Sequence, residues 1–408
     1  MLKRNKLYLL IFLFFIILNI CSTSYAIDEY AWNTGTELAN SPSESSDDIP
    51  ENTLNLQSGS AILIDQASGK VLYEHNSHDQ LRPASVTKVM SILLIMEALD
   101  SGQIQLSDRV PCSEKASSMG GSQIWLTTTE SLTVNDMLKC ICVVSANDCT
   151  VAMAEYLSGS TDAFVDKMNQ RAKELGMNDT CFKNCHGIDE DGHVTSAYDI
   201  AIMSRELLNN HPSITNYTTI WMDSIRDGKS ELVNTNKLIR NYEGCTGLKT
   251  GSTSLALYNL SASATRDNLS LIAVIMKAPS TALRFSEAKT LLDYGFSNYS
   301  SVEFGKQNEI VKDVMVNKGT ESTVHAVYAS NKYCTIPKGE ESKIRQEIII
   351  PESVDAPIYE GKKIGEIQYY IDDTLIDMVD IFSDKTVKKN SFISMSELLF
   401  KKWFNLLR

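Results

Sequence analysis

The sequence predicts a mixed α/β domain over about residues 57–297, followed by a small all-β domain. Strand-like segments stand at both ends of the first region and helical segments lie between them, which is typical of a sheet packed against helices. Beyond Tyr299 the sequence pattern changes to short segments typical of β-strands, such as "DVMVNKG", "TVHAVYA" and "GKKIGEIQYYIDD". The chain has 408 residues, of which 43% are hydrophobic, so two cores are expected.

The elements of the first domain follow from their apolar patterns. "AILID", "QASGK" and "VLYEH" alternate as a β-hairpin does, and Pro83 suits the first turn of the apolar helix that follows. Residues 133–157 carry helical periodicity and predict one core-facing helix, and "TDAFVDKMNQRAKELGM" predicts another. "LSASA" and "LSLIAVIM" predict a second hairpin around Arg266–Asn268. "RFSEAKTLLDYGF" closes the domain as an amphipathic helix.

The first 57 residues predict an export signal and a flexible leader. "MLKRNK" is positively charged, "LYLLIFLFFIILNI" is apolar, and "STSYA" ends on small residues, which is the pattern of a cleaved signal over 1–26. The apolar run is shorter than the roughly 20 residues of a spanning helix, which favours cleavage over an uncleaved anchor. Residues 27–57 are acidic and rich in Ser, Asn and Pro, so they are expected to stay unfolded.

The end of the chain predicts a β-rich domain over 298–384 and an amphipathic helix over 385–408. In "SFISMSELLFKKWFNLLR" polar and apolar residues occupy opposite faces, and the basic "KTVKKN" stands before it. Its charges leave no apolar run near the roughly 20 residues that a bilayer requires. The helix is therefore expected to lie on a membrane surface, and packing onto the β-domain is the alternative. Together with the signal, this predicts an exported protein at the outer face of the cytoplasmic membrane or in the cell wall, with the α/β domain at 58–297.

The charge of the chain narrows its possible partners. The net charge of −13 argues against a nucleic-acid partner, because a phosphate-binding surface needs a positive excess.

The cysteines can be either paired or free. Eight of the nine cysteines remain after cleavage, and the sequence does not choose among disulfide pairings. Cys140, Cys142 and Cys149 fall in an apolar helical stretch, where a free thiol packs as a small hydrophobe. Buried free thiols are the preferred interpretation.

Three short motifs carry the chemistry. Ser85-Val86-Thr87-Lys88 is S-x-x-K, Ser145-Ala146-Asn147 is S-x-N, and Lys249-Thr250-Gly251 is K-T-G. A serine hydroxyl needs a base, and an unprotonated lysine three residues later on the same helical face can serve. Burial or a second cation, here Lys249, lowers the pKa of such a lysine. The motifs together predict a serine nucleophile activated by lysine.

The other motif residues have expected roles around that nucleophile. Ser145 can pass a proton to the departing amine, and Asn147 can hold a substrate backbone. Gly251 leaves a strand edge bare for an extended substrate. The backbone N–H groups of Ser85 and Ser252 are candidates for an oxyanion hole. The segment "HGIDEDGH", with His186 and His193, matches no metal-binding spacing, so no metal site is expected there.

At these motifs the sequence resembles the penicillin-recognising serine transferases, and more closely the low-molecular-mass D-alanyl-D-alanine carboxypeptidases. "AILIDQASGKVLYEHNSHDQLRPASVTK", "VVSANDCTVAMAEYLSGS", "GLKTGST" and "APIYEGKKIGEI" extend the resemblance from about residue 58 to the C-terminus. Two positions depart from the family pattern. Cys149 stands where a small residue such as alanine is usual, and Thr235 stands where some relatives carry an arginine.

The resemblance implies a fold, a substrate and no cofactor. The implied fold is the β-lactamase/transpeptidase-like one, an antiparallel sheet flanked by helices, with a β-domain after it. The implied substrate is a peptidoglycan stem peptide ending in D-Ala-D-Ala, which acylates Ser85 before water releases it. β-Lactam antibiotics are implied as mimics that leave Ser85 slowly, and Lys249 and Thr250 as the residues that bind the terminal carboxylate.

Two rival functions stay open on the sequence alone. A β-lactamase shares the chemistry but needs a fast deacylating base, and the extra β-domain is unlike that class. A catalytically silent wall-binding protein belongs to another class. The intact pair of Ser85 and Lys88 counts against it.

Overall fold

The computed structural model describes residues 54–391. The predicted signal, most of the predicted leader and the tail from residue 392 lie outside the described residues. The strands of the first domain are β1 (Ser60–Asp65), β2 (Val71–His75), β3 (Arg109–Pro111), β4 (Ser131–Thr133), β5 (Met222–Ile225), β6 (Ser230–Val233), β7 (Cys245–Thr253), β8 (Leu257–Arg266) and β9 (Leu269–Ala278). Its helices are α1 (Lys88–Asp100), α2 (Glu114–Ser117), α3 (Val134–Val143), α4 (Asn147–Ser158), α5 (Thr161–Glu174), α6 (Ala197–Asn210), α7 (Thr215–Thr218), α8 (Leu238–Asn241) and α9 (Thr281–Asn298).

The centre of this domain is a five-stranded antiparallel sheet in the order β2-β1-β9-β8-β7. Both predicted hairpins, β1–β2 and β8–β9, form within it. Alternate residues of each strand face opposite sides. Ile62 and Ile64 of β1 join the core formed with α1 and α3–α6, and Ala61 and Leu63 join the core formed with α9. The predicted α/β class, an antiparallel sheet flanked by helices, is confirmed.

The predicted single helix over 133–157 is two helices. α3 ends at Val143 and α4 begins at Asn147, and Ser145 between them has φ +64°. A left-handed residue of this kind cannot continue a right-handed helix. The apolar periodicity runs through the break because both helices face the same core. The break brings Ser145 to the N-terminal end of α4.

α1 is preceded by a 3-10 turn, Ala84–Thr87, that carries Ser85. α1 itself is buried on nearly all sides, with Val89, Leu93 and Ile95 at 0% exposure. Full burial of such a side chain stabilises a fold by roughly 1.5–3 kcal/mol. The helix that holds Lys88 is therefore among the most firmly packed elements of the domain.

The second domain begins directly after α9. Its strands are β10 (Tyr299–Gly305), β11 (Ile310–Asn317), β12 (Thr323–Tyr328), β13 (Lys332–Pro337), β14 (Ile344–Ile349), β15 (Ser353–Asp355), β16 (Lys363–Ile371) and β17 (Thr374–Ser383). Six of them form one sheet in the order β14-β16-β17-β12-β11-β15, and β10 pairs with β13. The buried hydroxyl of Thr335 on β13 donates to Asp65 Oδ1 at 2.9 Å, which joins this domain to β1. The all-β character predicted for this region is confirmed.

The ends of the described chain differ from the predicted boundaries. Leu56, assigned to the flexible leader, is 8% exposed, and the Gln57 backbone N–H donates to Glu287 on α9. The segment Lys385–Ser391, assigned to the amphipathic helix, is extended rather than helical. Val387 is fully buried and exchanges two backbone hydrogen bonds with Ile358. The β-domain therefore includes residues up to about 390, because Val387 completes its core.

The cysteines and the helices of the described range have two further features. All eight cysteines within residues 54–391 are free, and six of them are buried. In the same range no helix is both long and apolar enough to cross a membrane.

Candidate active site

Ser85 and Lys88 meet at the turn before α1. Lys88 Nζ lies 3.0 Å from Ser85 Oγ. The same nitrogen lies 2.6 Å from Asn147 Oδ1 and 2.7 Å from the carbonyl oxygen of His186. When the amine is neutral, its two N–H bonds can serve Asn147 and His186, and its lone pair then faces Ser85. In this arrangement the neutral amine of Lys88 can take the proton from the Ser85 hydroxyl.

The electrostatics of the site favour the neutral amine. Lys88 is fully buried, and this desolvation lowers its pKa well below the usual range; the positive charge of Lys249 lowers it further. Cys185 and Asp148 oppose the shift with smaller effects. Both effects favour the neutral amine, which is the form that can act as a base.

The turn that carries Ser85 is strained and tightly enclosed. Ala84, the preceding residue, has φ +50°. Such conformations cost on the order of 1–3 kcal/mol and persist where the surroundings determine them. A Cβ on Gly187 would lie 1.9 Å from the Ala84 carbonyl oxygen, and one on Gly251 would lie 2.9 Å from the Ser85 nitrogen. Two glycines therefore allow two separate segments to close on the turn.

Gly251 thus has a different neighbour from the predicted one. Its missing side chain was expected to make room for substrate along the strand. In the structure the turn at Pro83–Val86 fills that space, with a Cβ on Gly251 placed 2.8 Å from the Pro83 carbonyl oxygen. β7 is the outer strand of its sheet, and Ser252 follows Gly251, the residue that packs against the Ser85 nitrogen. This proximity agrees with an oxyanion site formed by the N–H groups of Ser85 and Ser252.

Ser145 lies at the break between α3 and α4. Its side chain is buried, and its hydroxyl has no hydrogen-bond partner in the part of the chain that the structure describes. A buried polar group without a partner is costly, and such groups concentrate at catalytic sites. The hydroxyl is therefore available to exchange a proton.

The amide of Asn147 bonds protein atoms on both sides. Oδ1 accepts from Lys88 at 2.6 Å, and Nδ2 donates to the Gly120 carbonyl at 2.7 Å. The backbone N–H of Asn147 donates to Ser122. The expected role was to hold a substrate backbone. The contacts add another, in which Asn147 fixes Lys88 against the loop at 120–122.

Lys249 and Thr250 lie on β7 and are nearly buried. Lys249 is 1% exposed and donates to the Thr250 carbonyl at 2.9 Å. Burial lowers the pKa of Lys249 to about 7, the nearby thiol of Cys142 opposes this, and Arg284 adds to it. The Thr250 hydroxyl donates to Thr235 Oγ1 at 2.8 Å. Thr235, the position that departs from the family pattern, therefore faces Thr250 directly.

Comparisons with known proteins show which family the chain belongs to. The family model described as D-alanyl-D-alanine carboxypeptidase matches residues 45–280. The chain belongs to this family. A second model, described as the C-terminal domain of penicillin-binding protein 5, matches residues 299–389. The resemblance predicted from the motifs is confirmed for both parts of the chain.

Individual relatives extend the match over most of this carboxypeptidase. It is 43% identical over 348 residues to the D-alanyl-D-alanine carboxypeptidase DacF of Bacillus subtilis, an alignment that covers 84% of this chain and 89% of the relative. Penicillin-binding protein 5 of Haemophilus influenzae superposes with a TM-score of 0.73 at 30% identity, covering 82% of this chain and 98% of that one. Penicillin-binding protein D2 of Listeria monocytogenes, solved in its ampicillin-bound form, has a TM-score of 0.55 at 28% identity and covers 60% and 99%. The protein is a D-alanyl-D-alanine carboxypeptidase, a hydrolase, as the resemblance implies.

The sequence motifs did not reveal every residue that shapes the site of this carboxypeptidase. Asp148 is fully buried, and its carboxylate accepts from the backbone N–H groups of Ile124 and Leu126 at 3.0 Å. It therefore ties the loop beside Asn147 to α4. The available signal was an isolated acid in the apolar run "CICVVSANDCTVAMA".

The "HGIDEDGH" segment also belongs to the site of the carboxypeptidase. The His186 carbonyl accepts from Lys88, and burial lowers the pKa of its ring to about 3. His193 is 2% exposed and contacts Thr87 in the nucleophile turn at 2.8 Å. Within residues 54–391 there is no group of three or more His, Cys, Asp or Glu placed to hold a metal.

Proposed function

We propose that this carboxypeptidase removes the terminal D-alanine of peptidoglycan stem peptides through an acyl-enzyme on Ser85. The observation that carries the proposal is the 3.0 Å contact between Ser85 Oγ and Lys88 Nζ, with Lys88 fully buried and its pKa lowered by that burial. A serine beside a neutral amine is an activated nucleophile.

The reaction has two steps. Lys88 takes the proton of Ser85 as Oγ forms a bond to the carbonyl carbon of the penultimate D-alanine. The N–H groups of Ser85 and Ser252 stabilise the oxyanion, and the C–N bond to the terminal D-alanine then breaks. The Lys88 ammonium gives the proton it took to Ser145, whose hydroxyl passes its own proton to the departing amine. Water next attacks the ester and gives one proton to the neutral Lys88, which passes it to Ser85 Oγ as the ester bond breaks and the shortened peptide leaves.

Substrate binding rests on the outer edge of β7. Lys249 and Thr250 bind the terminal carboxylate of the peptide, Lys249 as a cation and Thr250 as a hydroxyl that turns its proton from Thr235 to the substrate. Gly251 and Ser252 continue that edge beside Ser85. Asn147 orients Lys88 and contributes to holding the peptide. No cofactor enters any step.

β-Lactam antibiotics acylate Ser85 by the same chemistry. The strained ring amide takes the place of the peptide bond, and ring opening gives an ester on Ser85. Because the leaving amine stays attached to the acyl group, it obstructs the attack of water. Support comes from the ampicillin-bound form of the Listeria monocytogenes relative, at 28% identity.

The test measures release of D-alanine from a peptide ending in D-Ala-D-Ala. The purified protein is compared with Ser85→Ala and Lys88→Ala, and folding is checked by thermal denaturation. Ser85→Ala is expected to abolish release, because no acyl-enzyme can form. Lys88→Ala is expected to lose at least about 10²-fold to 10⁴-fold, the usual contribution of a general base. Release by folded Ser85→Ala at the wild-type rate refutes the mechanism.

We further propose that the protein is exported and that its tail lies on the outer face of the cytoplasmic membrane. The support is the sequence pattern of residues 1–26 and of the tail, where Lys401, Lys402 and Arg408 can approach anionic lipid. Lys385, the first residue of the basic run "KTVKKN", which the sequence suggests could also approach anionic lipid, bonds Glu321 of the β-domain instead. The membrane-contacting segment is accordingly expected to begin after Ser391.

The test of the membrane proposal uses two chains and two kinds of vesicle. The full mature chain and a chain ending at Ser391 are sedimented with phosphatidylglycerol-rich and with phosphatidylcholine vesicles. Ending at Ser391 keeps Val387, which a cut after Asp384 would remove from the β-domain core. The full chain is expected to sediment with anionic vesicles, and the shorter chain to stay in solution with its activity intact. Equal sedimentation of both chains refutes the anchor.

A further inference from the structure

A second set of contacts reaches the nucleophile turn from the segment "HGIDEDGH". Thr87 and His193 are both buried, at 0% and 2% exposure. Thr87 Oγ1 lies 2.8 Å from the Ala84 carbonyl oxygen and 2.8 Å from His193 Nε2. His193 Nδ1 lies 2.9 Å from the Lys183 backbone nitrogen. The contacts form one continuous chain from the "HGIDEDGH" segment to the residue before Ser85.

The donors in this chain can be assigned from the backbone end. The Lys183 N–H can only donate, so His193 Nδ1 accepts and the ring proton is on Nε2. Nε2–H then donates to Thr87 Oγ1, and the Thr87 hydroxyl donates its own proton to the Ala84 carbonyl. Every donor and acceptor is used once, which fixes the orientation of the hydroxyl.

The turn needs such support because its backbone is strained at Ala84. Ala84 has φ +50°, a conformation that persists only where the surroundings hold it. Gly187 and Gly251 confine the turn by close packing, and Asn259 Nδ2 holds the Arg82 carbonyl at 2.8 Å. Within the described chain, the Thr87 hydroxyl is the side-chain donor to the Ala84 carbonyl.

We propose that Thr87 and His193 are positioning residues for acylation: together they hold the Ala84 carbonyl and thereby keep the Ser85 hydroxyl aligned with Lys88. The inference rests on the proposed acyl-enzyme at Ser85. A displacement near 1 Å in such an alignment costs about 100-fold in rate. The loss falls on the chemical step, since neither residue is placed to bind the substrate.

The surroundings of His193 keep it in the neutral form that the chain of contacts requires. Burial lowers the pKa of His193 to about 4, Glu190 and Asp189 oppose the shift, and Arg82 and Lys183 add to it. The ring of Phe182 packs against it with centroids 5.9 Å apart. At neutral pH the ring is therefore a single-proton donor rather than a cation.

The first test compares Thr87→Val with Thr87→Ser. Valine keeps the shape but removes the hydroxyl, and serine restores it. The measurements are the acylation rate constant at saturating fluorescent penicillin, and kcat and KM for D-alanine release. Thr87→Val is expected to lose about 100-fold in acylation and in kcat with little change in KM, and Thr87→Ser to recover most of it. Thr335→Val, which removes another buried threonine hydroxyl bond far from the turn, controls for lost stability.

The second test compares His193→Leu with His193→Gln and covers the case in which Thr87→Val does not fold. A glutamine amide has both an acceptor for Lys183 and a donor for Thr87, whereas leucine has neither. Acylation is expected to be slow in His193→Leu and largely restored in His193→Gln. When His193→Leu is combined with Thr87→Val, the acylation rate is expected to fall little further than in Thr87→Val alone, because the two residues act through one contact.

The outcomes separate this inference from the acyl-enzyme itself. Peptide mass spectrometry first locates the penicillin adduct in the wild-type protein. With the adduct on Ser85, acylation of folded Thr87→Val within about threefold of wild type overturns the positioning role and leaves the acyl-enzyme intact. Equal slowing by Thr87→Ser or by Thr335→Val overturns it as well. An adduct elsewhere removes the proposed mechanism, and the inference falls with it.

Discussion

Three oxygen atoms surround Lys88 Nζ, and the protonation state of this amine decides whether it can act as a base for Ser85. As an ammonium it donates to all three, including the serine oxygen, and cannot take a proton. As a neutral amine it keeps the two contacts with Asn147 and His186 and becomes a base. Burial and the neighbouring charge on Lys249 both favour the second state.

The first prediction is a pH profile for acylation. Burial and the charge on Lys249 lower the pKa of Lys88 well below its usual range, so the neutral base persists to lower pH than in an ordinary lysine and is lost as the pH falls through that lowered pKa. The acylation rate constant at saturating penicillin is expected to reach its plateau well below pH 10 and to decline as the solution becomes more acidic. A rate that keeps rising up to about pH 10, as an ordinary lysine would give, contradicts the assignment.

The second prediction concerns Lys249. Lys249→Ala is expected to weaken peptides with a free C-terminal carboxylate more than their amidated analogues, because only the carboxylate uses the cation. The pKa of Lys249 is lowered to about 7, so its charge is present below that pH and lost above it. KM for the carboxylate peptide is therefore expected to rise above pH 7, and that for the amide to stay level. Equal losses for both peptides in Lys249→Ala remove it from carboxylate binding.

Motif residues were predictable at this scale, but their supporting residues were not. Ser85, Lys88 and Lys249 lie in short patterns whose chemistry can be recognised locally. Thr87 and His193 are separated by 106 positions, and nothing local in either segment indicates that the fold brings them together.

The turn between α3 and α4 decides how Ser145 is presented. A continuous helix would place its side chain among the apolar residues of the core. The left-handed φ of +64° ends α3 and starts α4, so Ser145 stands at the junction. The sequence could not reveal the break, because the apolar residues on both sides of it face one core and tertiary packing overrides the helical preference.

The third prediction is a comparison of Ser145→Gly with Ser145→Ala. Both lose the hydroxyl, so both are expected to lose D-alanine release. Glycine adopts the left-handed φ without the steric cost that alanine pays. The greater conformational entropy of glycine in the unfolded chain offsets part of this advantage, so Ser145→Gly is expected to be more stable than Ser145→Ala by up to about 1 kcal/mol. Urea denaturation measures the difference. A more stable alanine variant shows that the turn is not strained.

The fourth prediction concerns the approach of β7 to the nucleophile turn. Gly251→Ala places a Cβ 2.8–2.9 Å from three backbone atoms of the turn, and backbone cannot yield as a side chain can. The variant is expected to lose about 100-fold in acylation. Gly59→Ala is the control, because its Cβ approaches side-chain atoms of Lys277, Cβ and Cδ at 3.2 Å, rather than backbone atoms at under 3 Å. Normal acylation by folded Gly251→Ala shows that this spacing is unimportant.

At the scale of the whole molecule, the division into a sheet-and-helix domain and a β-domain follows from the change in pattern near Tyr299. The packing of the chain ends did not follow from composition. Leu56 stands in a polar segment, and Val387 stands among lysines, yet each fills a place in a core that distant residues form. Single buried residues in polar segments give little periodic signal, so predicted boundaries fail first at such places.

In the proposed mechanism one serine of the molecule, Ser85, forms the acyl-enzyme. Intact-protein mass spectrometry after exposure to penicillin counts the adducts, and peptide mapping locates them. One adduct is expected, on the peptide that contains Ser85, and none in folded Ser85→Ala. An adduct on Ser145 or any other residue of the wild-type protein, or labelling that persists in Ser85→Ala, contradicts the mechanism.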